Sequence, residues 1–135
     1  MKVIVVDDDL SILALMQAAM QRKGHTVLTF QNPLDCPIYE VQSCPCHVSN
    51  PCPDIIISDY NMPSVNGIEF LENVFTRKCR CVNTAILTAK ELANQELSRI
   101  DKIGCRLFSK PLPLSHLYAW LDQVEKKLPA TPDPR

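Results

Sequence analysis

Apolar and polar positions along the chain follow a repeating order. Val3 to Val6 is an unbroken run of β-branched residues, and Ile55 to Ile57 is another. Short apolar runs closed by turn signals predict strands buried on both faces, as in a parallel sheet. Thr26 to Phe30, Thr84 to Leu87 and Arg106 to Ser109 predict three more strands. Between the strands the period lengthens to that of a helix. Leu10 to Lys23 sets Leu10, Leu13, Met16 and Met20 on one side, broken by Gln17, and stops at Gly24. Gly67 to Thr76 turns Ile68, Leu71, Val74 and Phe75 inward, and Lys90 to Ile103 does the same with Leu92, Leu97, Ile100 and Ile103. Leu114, Leu117, Leu121, Val124 and Leu128 mark a last amphipathic helix. Strands alternating with helices predict an α/β fold, a doubly wound five-stranded parallel sheet with helices on both faces. Right-handed crossovers leave few topologies for it.

Residues 31–53 break the rhythm. Pro33, Pro37, Pro45, Pro51 and Pro53 leave room for at most a short helix near Ile38 to Gln42. The second helix is therefore expected to be shortened or replaced by a Cys/Pro-rich loop. The loop holds Cys36, Cys44, Cys46 and Cys52, spaced Cys-x7-Cys-x-Cys-x5-Cys, with His47 beside them. This is not the paired Cys-x2-Cys of common zinc modules. Three readings stay open: a structural metal, zinc by its liking for thiolates, a disulfide, or packed thiols. Cys79 and Cys81 form a further pair, and Cys105 reads as core.

Composition narrows the class. The 135 residues are 46% hydrophobic and 21% charged with a net charge of −1, which suits one globular domain with a real core. Lys and Arg are scattered, so no direct nucleic-acid partner is expected. No apolar stretch approaches a membrane span and no signal peptide is expected, so the expected location is cytoplasmic. Seven cysteines are many for that compartment, where disulfides rarely persist. The expected domain spans residues 1–128. The Pro-rich stretch 129–135 is expected to be a disordered tail.

A parallel sheet gathers all its strand ends on one edge, where open α/β sheets hold their ligands. That edge would collect Asp7, Asp8 and Asp9, then Asp59, then Thr88, then Lys110. Taken singly, an Asp pair after a strand is often a helix cap, a Thr a strand end and a Lys a solvated charge. Taken together, crowded carboxylates call for a cation. Mg²⁺ suits them, because it takes one or two carboxylates and leaves room for phosphate oxygens. With an ammonium and a hydroxyl alongside, the set suits phosphoryl transfer onto a carboxylate.

Four motifs carry a resemblance to a known family. They are Val5-Val6-Asp7-Asp8-Asp9, Ser58-Asp59-Tyr60-Asn61-Met62-Pro63 with Gly67, Leu87-Thr88-Ala89, and Lys110-Pro111. The chain resembles a response-regulator receiver domain of two-component signalling, with a flavodoxin-like fold, over roughly residues 1–128. The resemblance implies that Asp59 is the phosphoacceptor. It implies Mg²⁺ held by the carboxylates of Asp8 and Asp59 and the backbone carbonyl of Asn61, with Asp7 acting through water. Lys110 would pair with Asp59 and then with the phosphoryl group, aimed by a cis Lys110–Pro111 bond. Thr88 would be the switch hydroxyl, Ala89 would leave access, and the side chains of Asn61 and Lys90 would tune how long the phosphate lasts. A sensor histidine kinase or phosphotransfer domain would be the donor, and a downstream protein would bind the helix after the fourth strand, the fifth strand and the last helix.

Two departures qualify the resemblance. The family places an aromatic residue three positions before the lysine, whereas here that position is Leu107 and Phe108 follows it. Strand alternation sets adjacent side chains on opposite faces, which favours a missing aromatic step over a rotated Phe108. The other departure is the cysteine loop. The expectation is a stand-alone receiver, a phosphorylation switch rather than a turnover enzyme. The alternatives are a metal-binding or scaffold protein on a receiver fold, and a phosphatase-like hydrolase with Asp59 as nucleophile.

Overall fold

The computed structural model describes residues 1–37, 39, 52–76 and 83–128. Five strands form one sheet: β1 (Lys2–Val6), β2 (Thr26–Phe30), β3 (Ile55–Asp59), β4 (Asn83–Thr88) and β5 (Arg106–Ser109). Their order is β2-β1-β3-β4-β5, and every ladder is parallel. The helices are α1 (Leu10–Arg22), α2 (Gly67–Thr76), α3 (Asn94–Lys102) and α4 (Leu114–Lys127).

The apolar runs are continuous because both faces of the sheet are covered. Alternate residues of each strand serve opposite layers. Val3, Val5, Ile55, Ile57 and Leu87 join Leu13, Met16, Met20, Leu117 and Leu121 in one cluster with α1 and α4. Ile4, Val6, Ile56 and Ile86 join Ile68, Phe70, Leu71, Val74 and Ile100 in the other, with α2 and α3. All five residues of β3 are buried, which holds for no other strand, so β3 is the most enclosed part of the sheet.

Several details differ from the sequence expectations. The third helix begins at Asn94 rather than Lys90, because the Thr88 hydroxyl bonds the Lys90 backbone and holds the chain in a turn. Leu10, Phe75 and Leu97 are exposed rather than buried. Leu10 is the first helical residue after the Asp9 cap and Phe75 lies in the last turn of α2, so neither lies over the middle of the sheet. The 31–53 stretch contributes one short 3₁₀ turn, Pro33–Asp35, capped by Asn32. The short helix expected near Ile38, the loop cysteines Cys44 and Cys46, the pair Cys79 and Cys81, and the tail 129–135 lie outside the described residues. No helix among the described residues is long and apolar enough to cross a membrane.

Candidate functional site

The carboxyl ends of the strands are pinned by backbone bonds before any side chain acts. Asp7 N–H donates to Phe30 O at 3.1 Å, Tyr60 N–H to Leu87 O at 2.8 Å, and Lys110 N–H to Thr88 O at 2.8 Å. Each bond joins a strand end to its neighbour, so the residues at these positions inherit the rigidity of the sheet. The Lys110–Pro111 peptide is cis. Gly67 lets the start of α2 approach the end of β3: a Cβ there would lie 2.4 Å from Asp59 O.

The three consecutive aspartates have separate situations. Asp9 caps α1, its Oδ1 accepting from Ser11 N–H at 2.8 Å. Asp7 is buried, 1% exposed, and its Oδ1 accepts from Asp9 N–H at 2.9 Å. Asp8 is exposed. Carboxylate oxygens of Asp7, Asp8 and Asp59 all lie within 4.8 Å of one another. Lys110 Nζ sits between two of them, 3.0 Å from Asp59 Oδ1 and 3.2 Å from Asp7 Oδ2. Together with Asn61, Thr88 and Ala89 these residues line an open cavity of about 300 Å³.

Burial sets the electrostatics. It pushes the Asp59 carboxyl above the usual aspartate range, against the pull of Lys110 and the Asn61 amide, and Asp8 adds to the rise. Burial likewise raises Asp7; its bonds to Asp9 and Lys110 only partly offset this. Burial works against the Lys110 ammonium, but the carboxylates of Asp59 and Asp7 outweigh it and hold its pKa above the ordinary lysine value. The pocket therefore has more negative charge than one ammonium compensates. A hard divalent cation fits this all-oxygen donor set, and Mg²⁺ fits the mixture of carboxylates and open space.

A response regulator receiver domain model matches residues 3–122. The chain belongs to the response regulator receiver family. Receiver domains are signalling switches of two-component systems; they bind Mg²⁺ at an acidic pocket and interact with histidine kinases or phosphotransfer proteins. Among curated relatives, the KDP operon transcriptional regulatory protein KdpE of Escherichia coli is 25% identical over 134 residues, covering 98% of this chain and 55% of KdpE. The nisin biosynthesis regulatory protein NisR of Lactococcus lactis is 29% identical over 131 residues, covering 93% of this chain and 51% of NisR. This receiver thus spans about half the length of these relatives. Among solved structures, the chemotaxis protein CheY4 of Vibrio cholerae is 26% identical, with a TM-score of 0.72 over 91% of this chain and 97% of CheY4. The receiver domain of a signal transduction histidine kinase from Syntrophus aciditrophicus reaches a TM-score of 0.77 at 17% identity, over 99% of this chain and 96% of its own, and shares the fold.

The structure brings together the sequence-predicted pocket residues Asp7, Asp8, Asp59, Asn61, Thr88 and Lys110. The Thr88 hydroxyl is engaged locally, with Lys90 N and Lys90 O both 3.2 Å away. Phe108 faces the α1/α4 layer and meets Trp120 edge-on at 5.6 Å, while Leu107 is 37% exposed on the other side. The strand is not rotated, so no aromatic side chain of β5 occupies the position the family uses. The cysteine loop gains no zinc site from these observations. Cys36 is buried in the apolar cluster that contains Ile4 and Phe70, Cys52 is buried too, and Cys44 and Cys46 lie outside the described residues. Among the described residues, Asp7, Asp8 and Asp59 are the group arranged for a metal.

Sequence reasoning passed over Tyr60 and Glu96. The Tyr60 hydroxyl donates to Glu96 Oε2, and the Lys90 ammonium lies 4.7 Å from the centre of the Tyr60 ring. No periodicity or motif spacing pairs residues so far apart in sequence.

Proposed function

We propose that this receiver accepts a phosphoryl group on Asp59 from a histidine kinase or phosphotransfer domain, and that the modified pocket alters a partner-binding surface. The observation that carries this reading is the Lys110 ammonium bridging Asp59 and Asp7 at the end of the most enclosed strand, with the exposed Asp8 carboxylate alongside. Asp59 and Asp8, with the Asn61 carbonyl, would hold Mg²⁺, and Asp7 would act through water. The metal, when bound, supplies positive charge that offsets charge on the transferred group.

The chain's own residues perform the remainder. A carboxylate oxygen of Asp59 attacks phosphorus. The new O–P bond forms as the P–N bond to the donor imidazole breaks, and the electron pair stays on that nitrogen, which takes a proton. Lys110 already lies against Asp59 and offers its ammonium to a phosphoryl oxygen, without reorganising at the moment of transfer. Ala89 keeps the approach open. The Thr88 hydroxyl, leaving the Lys90 backbone, can donate to a phosphoryl oxygen and draw the 88–90 turn inward. The α3, β5 and α4 face, which begins at that turn, is the surface proposed to change for a downstream protein.

Incubation with a small phosphodonor and Mg²⁺, followed by intact-mass measurement, tests this reading. One phosphoryl group per chain is expected. Sustained phosphate release without an adduct would indicate a hydrolase, and no reaction would favour a metal-binding or scaffold role.

A further inference from the structure

Tyr60 follows Asp59 directly, yet phosphoryl transfer itself assigns it no role. Its ring is buried in the α2/α3 apolar cluster. Its hydroxyl reaches out of that cluster to Glu96 Oε2 in the first turn of α3. The same carboxylate uses Oε1 to accept from the Ala93 N–H at 3.0 Å. Ala93 is the cap residue of α3 and has no side-chain acceptor, so Glu96 supplies the capping bond from within the helix. One carboxylate therefore fastens the start of α3 and ties it to the residue beside the proposed phosphoacceptor.

The opposite side of the arrangement reaches the pocket. Lys90 lines the cavity, its ammonium rests 4.7 Å from the Tyr60 ring centre, and its charge also acts on Glu96. Cation–π and exposed ion contacts are weak enough to be exchanged for a better partner. α3 has few other anchors. Ile100 is its buried residue, and Arg99 ties its far end to Glu72 of α2 at 2.5 Å. A helix held by so little apolar area takes its position from the polar contacts at its ends.

We propose that Tyr60 is a positioning residue that transmits the state of Asp59 to α3, in place of an aromatic side chain on β5. The proposal rests on Asp59 being the phosphoacceptor. A phosphoryl group brings more negative charge and three acceptor oxygens into the cavity. Lys90 then has a stronger partner than the Tyr60 ring and turns inward. Without the cation over its ring the Tyr60 hydroxyl is a weaker donor, its bond to Glu96 weakens, and residues 93–97 loosen.

The test is amide hydrogen exchange over residues 93–97 in the full chain, with and without phosphoramidate and Mg²⁺, for the wild type and Tyr60→Phe. Intact mass on the same samples reports the adduct. Tyr60→Phe keeps the buried ring and removes only the hydroxyl. In the wild type, phosphorylation is expected to speed exchange of this segment about three- to ten-fold, the range of one modest hydrogen bond. In Tyr60→Phe, exchange should be fast beforehand and change by less than about two-fold on phosphorylation, since the bond to be weakened is already gone. A purely structural role would raise the resting exchange but leave the phosphorylation step intact. A full step in Tyr60→Phe with adduct present overturns the proposal while the receiver reading stands. A wild type that forms no adduct overturns the receiver reading, and the proposal with it.

Discussion

The acid pocket and the α3–β5 face meet at Thr88, but they are held together by different means. The pocket residues extend from the ends of the sheet strands, and three backbone hydrogen bonds of 2.8–3.1 Å link those ends. The side chains of Asp7, Asp59 and Thr88 are buried and have little freedom and little water. This raises the Asp7 and Asp59 carboxyls and leaves the pocket short of positive charge. On α3 the Glu96, Arg99 and Tyr60 hydroxyl contacts take the place of apolar packing, and Leu107 of β5 is partly exposed. A charge-poised rigid site beside a lightly anchored helix is the arrangement a switch needs: the chemistry stays fixed and the response element is inexpensive to move.

The sharpest way to break this contrast is within β5. Phe108→Ala should cost about 3–5 kcal/mol, because a buried ring against Trp120 leaves a cavity. Leu107→Ala, on the exposed side of the same strand, should change stability by about 0.5 kcal/mol or less. Urea denaturation of both variants reads the difference. Equal losses would mean that the two side chains do not serve opposite faces.

Next in size is Gly67→Ala. Its methyl would meet the Asp59 carbonyl, so β3 or α2 must shift, at about 1–3 kcal/mol for an overpacked site. The shift falls on the backbone of the proposed phosphoacceptor, so phosphorylation should slow along with the loss of stability. A variant of wild-type stability would show that α2 can retreat freely and that the pocket is less rigid than argued.

The smallest effect is electrostatic. Asp59→Asn in Mg²⁺-free protein should stabilise the fold at pH 7 by about 0.5–2 kcal/mol, the scale of a relieved charge conflict. The sign follows from burial, which raises the folded pKa of Asp59. A carboxyl raised in the fold contributes its stability fully below the unfolded value of about 3.9, and that contribution is lost as pH rises through the folded value. The advantage of Asn should therefore be present at pH 7 and fade towards pH 4. Denaturation curves across that range check it; a wild type more stable than Asp59→Asn at pH 7 would mean that Lys110 outweighs desolvation.

The same contrast decides what the sequence made legible. Val3 to Val6 and Ile55 to Ile57 announce enclosed strands by unbroken β-branching, and enclosed strands fix the edge on which Asp7, Asp59, Thr88 and Lys110 gather. Residue type and order were enough for the pocket because backbone geometry does the positioning. The role of Asp9 was open, since a cap and a metal ligand look alike in sequence. At α3 the apolar period that includes Leu92 places the start at Lys90, but the Thr88 hydroxyl holds a turn there and the helix waits until Asn94. Leu97 matched the helical period yet is exposed, because so polar a helix has little core to face. The tie from Tyr60 to Glu96 depends on side-chain directions across 36 residues, which no local pattern encodes.

The central claim is that Asp59 takes the phosphoryl group in a pocket completed by Asp8 and Lys110. Its most direct test is adduct formation with a small phosphodonor, measured by intact mass in wild type, Asp59→Asn and Asp8→Ala across a Mg²⁺ titration. The account predicts one Mg²⁺-dependent phosphoryl group on the wild type and none on Asp59→Asn. It also predicts, for Asp8→Ala, a Mg²⁺ requirement raised at least about five-fold, since one carboxylate–cation contact near the protein surface is of the order of 1–4 kcal/mol. Phosphoryl uptake by Asp59→Asn at the wild-type rate would contradict it.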